Sequence, residues 1–323
     1  MGRLALLLPL LLTIGACAAF RPLPPEAELG PSVSVELAAV PFYPQARYHC
    51  GPAALASVLQ HTGVAASPET LAPEIYVPGR QGSFREEVAA AARRRGRVVL
   101  PMAPNLAAIV AALSDGRPVL VFQNLGPGWY PRWHFAVVVG YDAATDEMIL
   151  RSGTERRHLV SRETFFRTWV RGQRWARVVS RPSDIPAIVT PLPWLRAAHD
   201  LEQAGQQQAA SEAYAAGLRR WPDHAGLRLA LANRHALEGR TGDAIRVLQG
   251  GLAFAPSSAL LNNLAWLLME AGRYDQAAVH AEAAVALGGP FATQARATLA
   301  EIRCRQSGGC KAGNREEEQG RTS

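Results

Sequence analysis

The sequence predicts an α+β unit followed by an all-α helical array. Three observations carry that reading. Residues 35 to about 180 mix helix-period segments with short strand-like apolar runs. Pro182, Pro186, Pro191 and Pro193 then interrupt any regular pattern and mark a linker. Beyond them alanine and leucine recur at helical spacing, in copies that repeat. A length of 323 residues agrees, because a single core rarely grows past about 250–300 residues. With 48% hydrophobic and 19% charged residues, a packed chain is expected.

In the first unit, 35–181, the spacing predicts helices over 51–60, 84–95 and 106–113. Strands are predicted over 118–123, 134–141, 147–151 and 175–179, where valine, phenylalanine, isoleucine and tryptophan gather. After the linker at 182–193, Gly205 and Gly239 are 34 residues apart, as are Ala210 and Ala244, Tyr214 and Leu248, and Pro222 and Pro256. A third copy, offset by one residue, carries Gly272, Ala277, Ala281 and Ala284. Small residues let paired helices approach, glycine ends the first helix and proline marks the end of the second. Leu261, Leu264, Ala265 and Leu268 supply an apolar stripe. This pattern, over 194–303, resembles the tetratricopeptide repeat, a pair of antiparallel helices per unit. The resemblance implies a peptide or protein partner. Arg228 stands where Trp194 stands one repeat earlier, so no binding specificity carries over. Residues 291–303 would cap the array. Cys304 and Cys310 open the polar tail at 304–323, as a disulfide or as two free thiols.

The N-terminus begins with Arg3, an apolar run over 4–14 and then Gly15-Ala16-Cys17. That is the form of an export signal, and it is too short to span a bilayer, which takes roughly 20 apolar residues. Ile14-Gly15-Ala16-Cys17 resembles a bacterial lipobox. The resemblance implies removal of 1–16 and lipidation of Cys17; an ordinary signal peptide is the alternative. Ala18 stands where an aspartate would imply inner-membrane retention, so the outer membrane facing the periplasm is expected. The stretch 17–34, with four prolines, reads as a tether.

The net charge is +7, and of 34 basic residues only Lys311 is a lysine. The arginines are scattered, often beside acids, which argues against nucleic acid as a partner. Four cysteines without paired spacing argue against a disulfide-built fold or a structural zinc site.

Chemistry concentrates at Gln45 and Cys50-Gly51-Pro52-Ala53-Ala54-Leu55. A cysteine opening an apolar helix meets the positive end of the macrodipole, which favours the thiolate. Gly51 would let a substrate backbone come close, and the Gln45 side chain with the Cys50 N–H would hold an oxyanion. The segment resembles papain-like cysteine peptidases of the double-glycine type. In that family a histidine follows some distance on, at the head of a valine-rich strand ending in Gly-Tyr-Asp. His134-Phe135-Ala136-Val137-Val138-Val139-Gly140-Tyr141-Asp142 fits. The resemblance implies Cys50 as nucleophile, His134 as base and no metal or organic cofactor.

The family's third member, an aspartate before proline at the end of the next strand, is absent from Ile149-Leu150-Arg151-Ser152-Gly153-Thr154. Asp142 is excluded, since eight strand residues put it roughly 26 Å from His134. If the chain turns near 143–145, facing residue numbers sum to about 288. That puts residue 154 opposite His134, and a latitude of about two residues includes Ser152, Thr154 and Glu155. The resemblance singles out Ser152, nearest the slot of the family's aspartate, as the orienting group, with Glu155 as runner-up. His49 would point away from the cleft, with a metal site beside Cys50 as the alternative. Arg156, Arg157 and His158 would either meet an acidic group of the substrate or be solvated. Trp129, Tyr130 and Trp133 would touch substrate or anchor the core. The expectation is a lipid-anchored cysteine peptidase with a protein-binding array. A peptide-binding adaptor without turnover is the alternative.

Overall fold

The computed structural model describes residues 34–45, 49–254 and 256–310. Cys17, the signal segment, the tether before Ser34 and the tail after Cys310 lie outside the described residues. In chain order the first unit runs β1 (Val35–Glu36), α1 (Cys50–His61), α2 (Pro68–Ile75), β2 (Tyr76–Val77), β3 (Gly82–Ser83), α3 (Arg85–Arg94) and β4 (Val98–Pro101). It continues with α4 (Leu106–Ser114), β5 (Val119–Asn124), β6 (Trp133–Asp142), β7 (Glu147–Ser152), β8 (Glu155–Ser161), α5 (Arg162–Arg171) and β9 (Ala176–Ser180).

The three predicted helices and four predicted strands fall within one residue of α1, α3, α4, β5, β6, β7 and β9. Sequence periodicity does not reveal α2, β4, β8 and α5. Pro73, a residue that ordinarily breaks helices, lies inside α2. The strand β8 is a polar, largely exposed edge, and charged edge strands resist pairing with other chains.

The sheet is antiparallel, in the order β4-β9-β5-β6-β7-β8, with β1 paired to β6. Both of its faces are covered. Leu120, Phe135, Val137, Val139 and Val179 pack with Leu55 and Leu59 of α1 and Val88 of α3. Val119, Val121, Ala136, Val138 and Val178 pack with Ile109 of α4 and Phe165 and Trp169 of α5. Burial on both sides explains why the centre of β6 is a continuous apolar run instead of an alternation. The helix α1 is buried from Gly51 to Leu59, so it runs through the core with its first residue at the sheet's end.

The second unit consists of α6 (Pro191–Gln203), α7 (Gln207–Arg220), α8 (Ala225–Leu237), α9 (Thr241–Leu252), α10 (Ser258–Glu270), α11 (Tyr274–Leu287) and α12 (Ala292–Gln306). Gly205, Gly239 and Gly272 have φ of +76°, +74° and +72° directly after α6, α8 and α10. Glycine adopts that left-handed conformation without a Cβ penalty. A disulfide joins Cys304, in the last turn of α12, to Cys310 just beyond the helix.

The large residue on the first helix of each pair is matched by a small one on the second. Trp194 Nε1 donates to Ala213 O at 2.8 Å, and Arg228 Nη1 to Val247 O at 2.7 Å, 19 residues on in both pairs. A Cβ on Gly217 would lie 3.0 Å from Trp194 Cδ1, and one on Gly251 would lie 2.2 Å from Arg228 Cδ. In the third pair the smaller Leu261 shares a cluster with Ala284.

Two details differ from the sequence reading of the linker. The helix α6 begins at Pro191, because prolines in a first turn lack only donors that would be unpaired there anyway. The segment before it is also pinned: Asp184 accepts from Arg117 at 2.5 and 2.6 Å, and Arg220 donates to the carbonyls of Ile185, Pro186 and Ala187. Trp194, Ala198, Leu201 and Tyr214 share one core cluster with Val98 and Leu100 of β4, and Arg93 pairs with Asp200 at 2.7 Å.

Gly251→Ala should destabilise the chain by about 1–3 kcal/mol in urea unfolding through overpacking against Arg228. Combining it with Arg228→Leu, the third repeat's solution, should recover part of that loss. A double-mutant cycle showing less than about 0.5 kcal/mol of coupling would contradict this packing account.

Candidate active site

A cleft of about 1020 Å³ opens at the sheet's end and brings Gln45, Cys50 and His134 together. Cys50 is the first residue of α1, following the N-cap His49. The Phe135 N–H points at the sulfur, together with the N–H groups of Gly51 and Cys50 itself. Phe135 stands beyond the last β6–β7 pair, Val137 with Arg151, which leaves its N–H outside that ladder. Burial pushes the Cys50 thiol above its ordinary pKa, and these donors reduce the rise without reversing it. The expectation that the helix end holds a thiolate is therefore corrected: desolvation wins over the dipole.

His134 is pushed down to about 4, chiefly by burial, then by the charges of His158 and Arg132. The resting pair at neutral pH is thus a thiol and a neutral imidazole. Both line the cleft, and among the described residues no hydrogen bond joins them, a separation common in free enzymes.

His134 Nε2 lies 2.8 Å from Ser152 Oγ. The β6–β7 register explains the meeting. Val137 pairs with Arg151 and Val138 with Leu150, both summing to 288. Continuing it puts Ser152 opposite Ala136, diagonal to His134 on the same face. Glu155 instead pairs with His158 Nδ1 at 3.2 Å. Gly153, at φ +59°, makes the turn after Ser152, and its carbonyl accepts from the Gln45 N–H at 3.0 Å. One turn therefore carries Ser152 and holds the backbone of Gln45.

Arg151, only 3% exposed, fastens the approach to Gln45 by donating to the carbonyls of Ala38 and Val40 and, across to β8, of Arg156. Asp142 caps the β6–β7 turn through the Ala144 N–H. His49 packs edge-on against Tyr76, ring centres 5.0 Å apart. Among the described residues no three His, Cys, Asp or Glu side chains gather to hold a metal ion. Arg157 pairs with Glu36, outside the cleft.

The role expected for Gly51 also needs correcting. A Cβ there would meet Ser83 Oγ at 2.5 Å, so the space above Gly51 is filled by β3 and not held open for substrate. The aromatic loop divides. Trp133 stacks on Phe122 at 5.3 Å and lines the cleft with Tyr130, while Trp129 is 86% exposed. The buried Asn124 shapes this loop by accepting from the N–H groups of Gly126 and Arg132.

Residues 37–176 match the Peptidase_C39 like family. The match lies within the first unit, and the antiparallel sheet with its helices fits a Peptidase_C39-like fold. Two solved structures are similar. A protein described as a C39-like peptidase from Bacillus anthracis is 19% identical, covering 46% of this chain and 97% of its own, with a TM-score of 0.39. The peptidase domain of Streptococcus ComA, described as a bifunctional ABC transporter in a quorum-sensing pathway, is 21% identical, covering 44% and 98%, with a TM-score of 0.35. No curated protein matches the chain.

Sequence reasoning missed the far wall of the cleft: Arg80, Gln81, Ser83, Phe84, Arg85 and Gln173. The Pro78-Gly79-Arg80-Gln81-Gly82 run signals a turn, but nothing local places it against Cys50.

A carboxylate in place of Ser152 would favour the imidazolium. By NMR titration, Ser152→Asp should raise the His134 pKa from about 4 by about one to two pH units. An unmoved titration would show that residue 152 does not set the imidazole's charge.

Proposed function

We propose that the protein is a lipid-anchored cysteine peptidase that hydrolyses peptide bonds through a Cys50–His134 acyl-enzyme mechanism. The observation that carries this is His134 in the same cleft as Cys50, its Nε2 held by Ser152 so that the other ring nitrogen is left for the thiol. His134, neutral at rest, takes the thiol proton as Cys50 Sγ bonds to the substrate carbonyl carbon. The side-chain amide of Gln45 and the Cys50 N–H stabilise the oxyanion. The C–N bond breaks as His134 returns the proton to the leaving amine. A water, deprotonated by His134, then attacks the thioester, and the thiol re-forms. Ser152 orients the ring; being neutral, it stabilises the imidazolium less than a carboxylate would.

Digestion of a defined peptide mixture, with products read by mass spectrometry, tests the mechanism. Cys50→Ala should abolish cleavage and His134→Ala should slow it by about 100-fold or more. If the wild-type chain yields neither products nor a thioester adduct at Cys50, the site is a peptide-binding adaptor.

The helix pairs are further proposed to be tetratricopeptide repeats that bind a protein partner, and Cys17 to be the lipid anchor, in the outer membrane facing the periplasm. The left-handed glycines after α6, α8 and α10 and the matched Trp194–Gly217 and Arg228–Gly251 pairs support the first part. The lipobox resemblance supports the second. In cells, Cys17→Ser should stop incorporation of labelled palmitate, and a photo-crosslinker at the exposed Val279 of α11 should capture a defined protein. Failure of either arm removes that part.

A further inference from the structure

The cleft holds charge that the proposed chemistry does not use. Among the described residues three arginines line it, Arg80, Arg85 and Arg132, against a single carboxylate, Glu86. Arg85 is already engaged. Its Nη1 donates to Gln173 Oε1 at 2.8 Å, its Nε lies 3.9 Å from Glu86 Oε1, and its guanidinium sits over Phe122.

Arg80 and Arg132 differ. Both are exposed, and neither has a carboxylate partner among the described residues. Among the described residues the Arg80 guanidinium lies over the Phe84 ring, 4.7 Å from the centroid. Elsewhere in the protein, arginines are commonly met by acids: Arg95 by Glu74, Arg117 by Asp184, Arg162 by Asp146, Arg234 by Glu202, Arg305 by Glu270. The N-terminus of α1 adds partial positive charge at the same cleft. Phe84, Tyr130 and Trp133 supply apolar surface between these charges.

We propose that the cleft is a subsite for an acidic side chain flanking the cleaved bond of the peptide, with Arg80 and Arg132 as the groups that read its carboxylate. The planar guanidinium suits a carboxylate because it donates through a fixed fork. The aromatic walls take the apolar part of the same strand. The placement of Arg132, two residues before His134, gives recognition a chemical consequence. The Arg132 charge opposes protonation of His134. A substrate carboxylate neutralises that charge as His134 accepts the thiol proton, so an acidic peptide strengthens the base it needs. This inference rests on the peptidase reading only in taking the cleft as the site where peptide lies.

The test uses the full chain with Cys50→Ala, immobilised. It is equilibrated with an equimolar synthetic library of end-capped peptides carrying Glu, Gln, Leu, Phe, Ala or Gly at each position. Retained members are read by mass spectrometry. At low salt, glutamate-bearing members should be enriched about fivefold or more over their glutamine counterparts. The preference should fall at about 1 M salt, where the screening length is about 3 Å. Arg80→Gln with Arg132→Gln should remove it, while the lysine pair, Arg80→Lys with Arg132→Lys, should keep it. Equal retention, retention of no member, a preference that survives the glutamine pair, or one that the lysine pair loses as fully would each overturn the proposal. Cleavage by the wild-type chain without an acidic preference would sink the subsite and leave the peptidase. The preference without cleavage would do the reverse.

Discussion

The antiparallel pairing of β6 with β7 is the constraint on which the site depends. Its register sets Ser152 diagonal to His134, and its early end leaves the Phe135 N–H free to face Cys50. The turn that follows, at Gly153, fastens the backbone of Gln45. A slip of one residue would send every side chain of β7 to the opposite face. It would bury Ser152 or Arg151 wrongly and separate the imidazole from its acceptor. Arg151 guards against such a slip, because three backbone carbonyls from two other segments converge on its guanidinium.

Burial sets the electrical state of the site. Both Cys50 and His134 are moved toward neutrality by desolvation, although the helix end and three N–H groups pull the thiol the other way. A preformed thiolate–imidazolium pair would need stronger compensation than a serine hydroxyl and backbone donors provide. In the proposed mechanism the neutral pair makes His134 the general base at the moment of attack. It also makes His134 sensitive to charges such as Arg132.

The helical array is continuous with the first unit. Its first helices complete one face of the sheet, with Trp194 and Leu201 in the same cluster as Val98 and Leu100. The proline-bearing segment between the units is tied by Asp184, and by the carbonyls that Arg220 reaches, so it acts as a brace. Down the array each large side chain is accommodated by a small residue opposite it. Arg228 fills the place of Trp194 by donating to the equivalent backbone carbonyl. Shape and one hydrogen bond are kept while the residue type changes.

Local patterns determined much of this on their own. Apolar spacing located α1, α3, α4 and the central strands, and the 34-residue glycine spacing marked the left-handed turns that end α6 and α8. The motif around Cys50 and the strand headed by His134 named the same two residues that line the cleft. Tertiary structure decided the rest. Ser152 and not Glu155 meets His134, because the strand register puts one inside and the Gly153 turn swings the other toward His158. Ser83 rather than substrate covers Gly51, and Arg80 faces the cleft, because β3 folds over α1. Periodicity reports only neighbours within a turn or a strand. Burial, electric field and the far wall of a cleft are sums over residues that only folding brings near.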